Sequence, residues 1–243
     1  MSKPLLKPVS TRSALLTVLL GAEVATLSAR ELVTVGSLLG FAEPTVRVAL
    51  SRMTAAGDLV RGDDADYRLS DRLLERQRRQ DQAVHPRTKA WRGQWEVVVV
   101  TATGRSAAER AELRAELTGL RLAELREGVW TRPANLRLDW PASVDDVVTR
   151  FTGRPVDEPA ALAAELWDLD AWAATARALL DATDTADPVL RFTACATSGR
   201  HLLADPVLPS ELLPADWPGD ALRESHLAYR QWLIEMRQGL AAA

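Results

Sequence analysis

Residues 44–53 read Pro-Thr-Val-Arg-Val-Ala-Leu-Ser-Arg-Met, and Thr-Ala-Ala-Gly completes the stretch at Gly57. Pro44 has its φ pre-set for the first turn of a helix. Gly57 suits the left-handed residue that ends one. Val46, Ala49, Leu50 and Met53 recur at helical spacing and are expected to face a core. Thr45, Arg47, Val48, Ser51 and Arg52 then share the outward face.

Upstream, a helix is expected to open at Ser28, with Glu31 three residues on to complete a capping box. Its core face is Leu32, Val35 and Leu39, and Gly40-Phe41 turns the chain into the next helix. An earlier helix is expected from about Thr11 to Ala22. Downstream, Asp58–Arg61 and Tyr67–Ser70 read as two short strands around a turn of Gly62, Asp63, Asp64, Ala65 and Asp66. Helix, helix, turn, helix and hairpin is the order of a winged helix-turn-helix. Its third helix is the one that enters the major groove. The expected DNA-binding residues are Thr45, Arg47, Ser51 and Arg52 on that helix, with Arg61 and Arg68 on the hairpin. The acidic tip would repel phosphate, so the wing is expected to contribute through its strands.

The charge balance agrees with this placement. The 243 residues carry 30 basic and 33 acidic side chains, a net of -3. Up to Arg92 there are 15 basic and 10 acidic residues, and from Gly93 there are 15 and 23. A basic amino-terminal part on an acidic remainder suggests a nucleic-acid module joined to something that controls it. The single cysteine, Cys195, excludes a disulfide framework within the chain and a thiolate zinc site. His85, His201 and His226 are far apart, so no metal and no cofactor are expected. Lys3, Lys7 and Arg12 precede the apolar run Ala14–Ala22, which resembles a signal peptide superficially. Nine residues are too few to span a membrane. Leu15, Val18, Leu19 and Ala22 also follow helical spacing, so a core helix in a cytoplasmic protein is expected.

The helix expected over Asp71–Ala83 carries Arg72, Arg76, Arg78 and Arg79 and reads as a solvated linker helix. His85-Pro86 closes this first domain, residues 1–85. Trp95–Thr101, with its run of valines, reads as a central strand. Ala107–Leu120 follows as a helix with Leu113, Leu117 and Leu120 on one face. Gly128–Thr131 and Asn135–Leu138 are expected to pair as strands, and Val144–Phe151 favours a strand. Residues 90–157 thus suggest a small α+β sandwich. From Glu158 the signal is helical: Leu162, Leu166, Leu169, Ala173, Ala176 and Leu180 hold one face. Asp187-Pro188 opens a further helix ending near Leu203. A proline-rich loop, Asp205–Pro218, precedes the last helix, about Asp220–Leu240, with Leu222, Tyr229, Leu233 and Met236 inward. The expected class is α+β, with an all-helical carboxy-terminal domain over residues 158–243.

Three stretches together resemble the PaaX-type repressors of phenylacetic acid degradation. They are Thr45–Gly57, then Gly93–Val100 with Glu127–Trp130, and the uncommon run Asp205-Pro-Val-Leu-Pro-Ser-Glu-Leu-Leu-Pro-Ala-Asp-Trp-Pro-Gly219. The resemblance implies a winged helix, a ferredoxin-like middle domain and a helical carboxy-terminal domain. It further implies a homodimeric, non-enzymatic repressor on a double-stranded DNA operator, released by an acyl-CoA effector such as phenylacetyl-CoA. Trp130 and Arg200 are the effector-binding candidates, although the Thr193–His201 surroundings of Arg200 are smaller and less basic than the family pattern. Two enzyme readings stand as alternatives. One is a ferredoxin-fold nuclease of the CRISPR-associated type, but the first middle strand ends Val100-Thr-Ala-Thr103 with no carboxylate. The other is an acyl-CoA-processing enzyme using Cys195, or Ser198 with His201.

Overall fold

The structure is a computed structural model and describes residues 6–7, 9–20, 26–62 and 66–241. It is a mixed helix and sheet protein with two small antiparallel sheets. The chain divides into two compact units. Unit 1 gathers Met1–Val84, Ala174–Leu203 and Pro218–Ala243, and unit 2 gathers His85–Ala173 and Ala204–Trp217.

Unit 1 begins with α1 (Thr11–Leu20), β1 (Thr26–Ser28), α2 (Ala29–Leu38) and α3 (Glu43–Ala55). The hairpin strands β2 (Leu59–Arg61) and β3 (Asp66–Leu69) and the helix α4 (Asp71–Val84) follow. The capping box at the start of α2 is formed. Ser28 Oγ accepts from the Glu31 backbone N–H at 3.2 Å, and Glu31 Oε2 accepts from the Ser28 N–H at 2.8 Å. Leu32, Val35 and Leu39 are buried. The sheet has a strand that the sequence signal did not suggest. β1 pairs with the outer side of β3, giving the order β1-β3-β2. Three residues are too short to show a period, so β1 had no signature of its own. Asp63 and Asp64 of the expected acidic tip lie outside the described residues, as do Ala22 of the first helix and the side chain of Met236. Asp66 opens β3.

Helix α1 buries Ala14, Leu15, Leu16, Val18, Leu19 and Leu20, and is apolar almost all round. A helix of that kind must be covered on several sides. The cover includes α9 (Pro188–Leu202) and α10 (Gly219–Ala241), whose Phe192, Cys195, Tyr229 and Leu233 join the same core. Polar links fix this packing. Arg230 pairs with Asp81 of α4 at 2.7 Å, and Gln77 donates to the Leu20 carbonyl at 2.8 Å. Asp58, only 2% exposed, receives Arg12 at 2.6 Å on one oxygen and Arg72 at 2.5 Å on the other. That carboxylate follows the end of α3 directly, so it ties α1 and α4 to the turn leaving α3.

Unit 2 is built on β4 (Trp95–Val100), α5 (Ala107–Gly119), β5 (Ala123–Arg126), β6 (Val129–Pro133), α6 (Ala142–Asp145) and β7 (Val148–Gly153). The sheet order is β5-β6-β4-β7, antiparallel throughout. One face packs Val98 and Trp130 against Leu113 and Leu117 of α5 and Val144 of α6. A second cluster joins Trp95 to Leu169, Leu208 and Leu212. Three expectations change here. Asn135–Leu138 is not a strand, and Leu136 makes only an isolated bridge with Thr88. β6 pairs instead with β5 and β4; the turn at Glu127-Gly128, with Gly128 at φ 75°, joins it to β5. Val144–Phe151 divides, its first part entering α6 and its second β7.

The expected long helix also divides, into α7 (Pro159–Leu166) and α8 (Leu169–Thr183), with Trp167 extended between them. Among the described residues, no helix is long and apolar enough to cross a membrane.

Candidate nucleic-acid interface

The α3 helix presents two distinct faces. Val46, Leu50 and Met53 are buried, while Thr45, Arg47, Val48, Ser51 and Arg52 are exposed. The inward row docks α3 on α1 and α2, and the outward row is left in water. Gly36 of α2 lies directly under Val46, where a Cβ would meet the valine methyl at 2.5 Å. That close approach favours glycine at this position.

The two arginines of this row differ. Arg47 is held by Glu43, one turn back, through Nε at 2.8 Å and Nη2 at 2.8 Å. Arg52 is exposed and, among the described residues, has no ion-pair partner. An exposed pair of the Arg47–Glu43 kind is worth at most about 1 kcal/mol. So weak a pair does not lock Arg47 in place. Glu43 was absent from the sequence-based set; its i, i+4 spacing to Arg47 was the signal that could have found it.

Arg61 and Arg68 are both exposed, but the strand register separates them. Arg61 stands opposite Tyr67, on the face that carries the buried Leu59, Leu69 and Leu27. Arg68 stands opposite Val60 and Thr26, on the other face of the sheet. The hairpin therefore offers two separate cations and not a pair.

The effector candidates belong to different units. Trp130 lies on β6 in unit 2, 5% exposed, with the Arg114 guanidinium 5.6 Å from its ring centre. Arg200 lies on α9 in unit 1 and donates to Thr197 Oγ1 at 3.1 Å.

Two of the groups named for enzyme chemistry, Cys195 and Ser198, are buried within α9. Burial pushes the Cys195 thiol up to about 12, so it is protonated at neutral pH. Ser198 is buried and donates to the Ala194 carbonyl of its own helix at 3.0 Å. His226, which packs beside Cys195, has its Nδ1 3.3 Å from the Cys195 carbonyl. Among the described residues, no group of three or more histidine, cysteine or carboxylate side chains is arranged to hold a metal ion.

The Asp205–Pro218 loop has an anchor that the sequence reading missed. Arg132 of β6 is 0% exposed. It donates to the carbonyls of Leu120, Arg121, Pro133, Pro206 and Val207 and to Asn135 Oδ1, at 3.0 to 3.4 Å. Burial lowers its pKa to about 9, so it stays charged at neutral pH. Val207 has φ 49°, unusual for a β-branched residue. Asp205 Oδ1, accepting from the Val207 N–H at 2.8 Å, and Asn135, donating to the Val207 carbonyl at 2.9 Å, hold it there.

With these features in place, the comparisons with known proteins fall into one pattern. The PaaX-like protein family matches residues 10–73, its central Cas2-like domain matches residues 88–160, and its C-terminal domain matches residues 167–239. The chain belongs to the PaaX family. It is similar to the transcriptional repressor PaaX of Escherichia coli (strain K12), with 28% identity over 215 residues, covering 76% of this chain and 67% of that protein. Among solved structures it is similar to the uncharacterized protein Rv0674 from Mycobacterium tuberculosis. That match has a TM-score of 0.83 and 48% identity, and covers 95% of this chain and 98% of the other.

Proposed function

We propose that this protein is a cytoplasmic, non-enzymatic transcriptional repressor that reads double-stranded DNA through the outward face of α3. The observation that carries the reading is the outward row Thr45, Arg47, Ser51 and Arg52 on a helix whose opposite side is locked into the core. Residues 1–85 are a winged helix-turn-helix in this reading, with β2 and β3 as the wing. Residues 90–157 are ferredoxin-like, which the strand order β5-β6-β4-β7 and the helices α5 and α6 between successive strands support. Residues 158–243 are the helical carboxy-terminal part.

Arg47 and Arg52 read base edges. Thr45 and Ser51 bond phosphate or base edges, and Arg61 and Arg68 hold phosphates from the wing. A homodimer places two copies of α3 about 34 Å apart, on half-sites one helical turn apart or a multiple of it. The membership in the PaaX family and the likeness to a named repressor support the repressor role, and an operon of aromatic-acid catabolism is the target this reading proposes. The same reading proposes an acyl-CoA effector such as phenylacetyl-CoA, with Trp130 in unit 2 and Arg200 in unit 1 as separate candidate contacts. Such an effector acts only by preferring the geometry that does not bind DNA.

The test is a gel shift on the DNA upstream of the protein's own gene, titrated with phenylacetyl-CoA. The reading expects a specific complex that the thioester dissolves. Equal binding to promoter and scrambled duplex would contradict it.

A further inference from the structure

The end of the unit 2 sheet holds a half-open cavity of about 240 Å³ that none of the DNA-reading residues uses. Its floor is apolar: Val100 of β4, Leu113 and Leu117 of α5, and Trp130 of β6. Its rim is cationic, with Arg105, Arg110 and Arg114. These three line the cavity because they lie just before α5 and on its first two turns, beside Gly128, where β4 ends and β6 begins.

The charge at this rim is only partly balanced. Arg114 is taken by Glu124 of β5, to which it donates from both Nη atoms. Glu109, near Arg105, has its carboxylate committed to the cap of α5, accepting from the Ser106 N–H and hydroxyl at 2.7 Å. Arg110 spends Nη1 on the Arg105 carbonyl at 2.7 Å. Glu127 remains as the exposed acid opposite Arg105 and Arg110. Arg105 spends Nη2 on the Glu109 carbonyl at 3.0 Å, while its Nε–H is buried and, among the described residues, has no acceptor. A buried donor left unpaired is unfavourable, and an anion in the cavity would supply what it lacks.

Size limits the occupant. A dry cavity of ~150 Å³ holds a benzene ring, whereas pockets for drug-sized ligands start at ~300 Å³. Its enclosed part therefore takes one ring and one small charged group.

We infer that the cavity between α5 and the Val100–Gly128 end of the sheet is a binding site for a small free carboxylate carrying a single flat apolar ring. The ring lies on Val100, Leu113, Leu117 and Trp130, and the carboxylate meets Arg105 and Arg110. The site is separate from the α3 surface and does not depend on the repressor reading.

The experiment uses the full chain without DNA. Calorimetric titration at pH 7 compares benzoate with its neutral isostere benzamide. Arg105→Met and Arg110→Met are tested in parallel; Arg110 is exposed, so its variant will fold. The indole N–H signal of Trp130, assigned by its loss in Trp130→Phe, reports where the ligand sits. Benzoate is expected to bind at least tenfold tighter than benzamide. Each arginine variant should weaken it about tenfold to a hundredfold, the range for a hydrogen bond to a charged group. The Trp130 signal should move with benzoate. No binding of benzoate up to about 10 mM would overturn the inference, as would equal affinity for benzamide. So would benzoate binding that leaves the Trp130 signal in place or is indifferent to both arginine substitutions.

Discussion

Glu43 holds Arg47 in a two-nitrogen pair, with Nε and Nη2 each 2.8 Å from the same Glu43 oxygen. The acid sits in the first turn of α3, where it favours the helix dipole. In the proposed reading it also shields an arginine that meets DNA. In Glu43→Gln, Arg47 is released and one negative charge leaves the face proposed to meet phosphate. DNA affinity should rise about threefold to tenfold at low salt, with a steeper salt dependence. Binding isotherms at two salt concentrations check this. Unchanged affinity would mean that α3 does not face the duplex at this point.

Asp58 joins α1, the turn after α3 and α4 through Arg12 and Arg72. Both arginines are largely exposed and return to water when the carboxylate is removed, so the cost stays below that of a fully buried pair. Asp58→Asn should cost about 2 kcal/mol, and Arg12→Ala or Arg72→Ala about 1 kcal/mol each. Thermal unfolding of the three variants checks the order.

Arg132 carries the proline-rich loop. Its replacement by Met strands several carbonyls and leaves Glu96 and Asp205 without their buried cation. The loss should be about 3–5 kcal/mol. Lys should recover only a minor part, because one ammonium cannot serve acceptors arranged for a planar fork. Denaturant unfolding followed by tryptophan fluorescence is suited to this, since Trp95, Trp130, Trp167 and Trp217 all lie in unit 2.

His226 makes unit 1 sensitive to acid. It is 5% exposed, and burial first, with Arg230 second, lowers its pKa from 6.5 to about 4. Between those values the unfolded chain binds a proton that the folded chain does not. Its contribution is therefore complete above pH 6.5 and is lost as pH falls towards 4, by up to about 3 kcal/mol. In His226→Gln this part of the slope should vanish. Chemical denaturation at pH 7 and pH 4.5, wild type against variant, measures it.

The parts of the molecule that were legible in the sequence are those with a local cause. Ser28 and Glu31 announce the cap of α2, Pro44 and Gly57 bracket α3, and Val46, Leu50 and Met53 mark its inner face. What stayed hidden depends on distant partners. Three-residue β1 is a strand only because β3 offers it an edge. Periodicity indicated that Leu162–Leu180 buries a face, but not that the chain turns extended at Trp167. It likewise indicated a buried face on α10, but not that Tyr229 and Leu233 would meet the core of α1. Arg132 carried no local signal, because its carbonyl partners lie up to 75 residues away. In the candidate interface, the outward row of α3 followed from helical spacing alone. The separation of Arg61 from Arg68 needed the strand register.

The most direct measurement is fluorescence anisotropy of wild type, Arg47→Ala and Arg52→Ala on the promoter duplex and on a scrambled duplex of equal length. The account predicts that each variant loses about 1–3 kcal/mol on the promoter and much less on the scrambled duplex. Both variants binding the promoter as tightly as wild type would contradict the assignment of α3 as the reading helix.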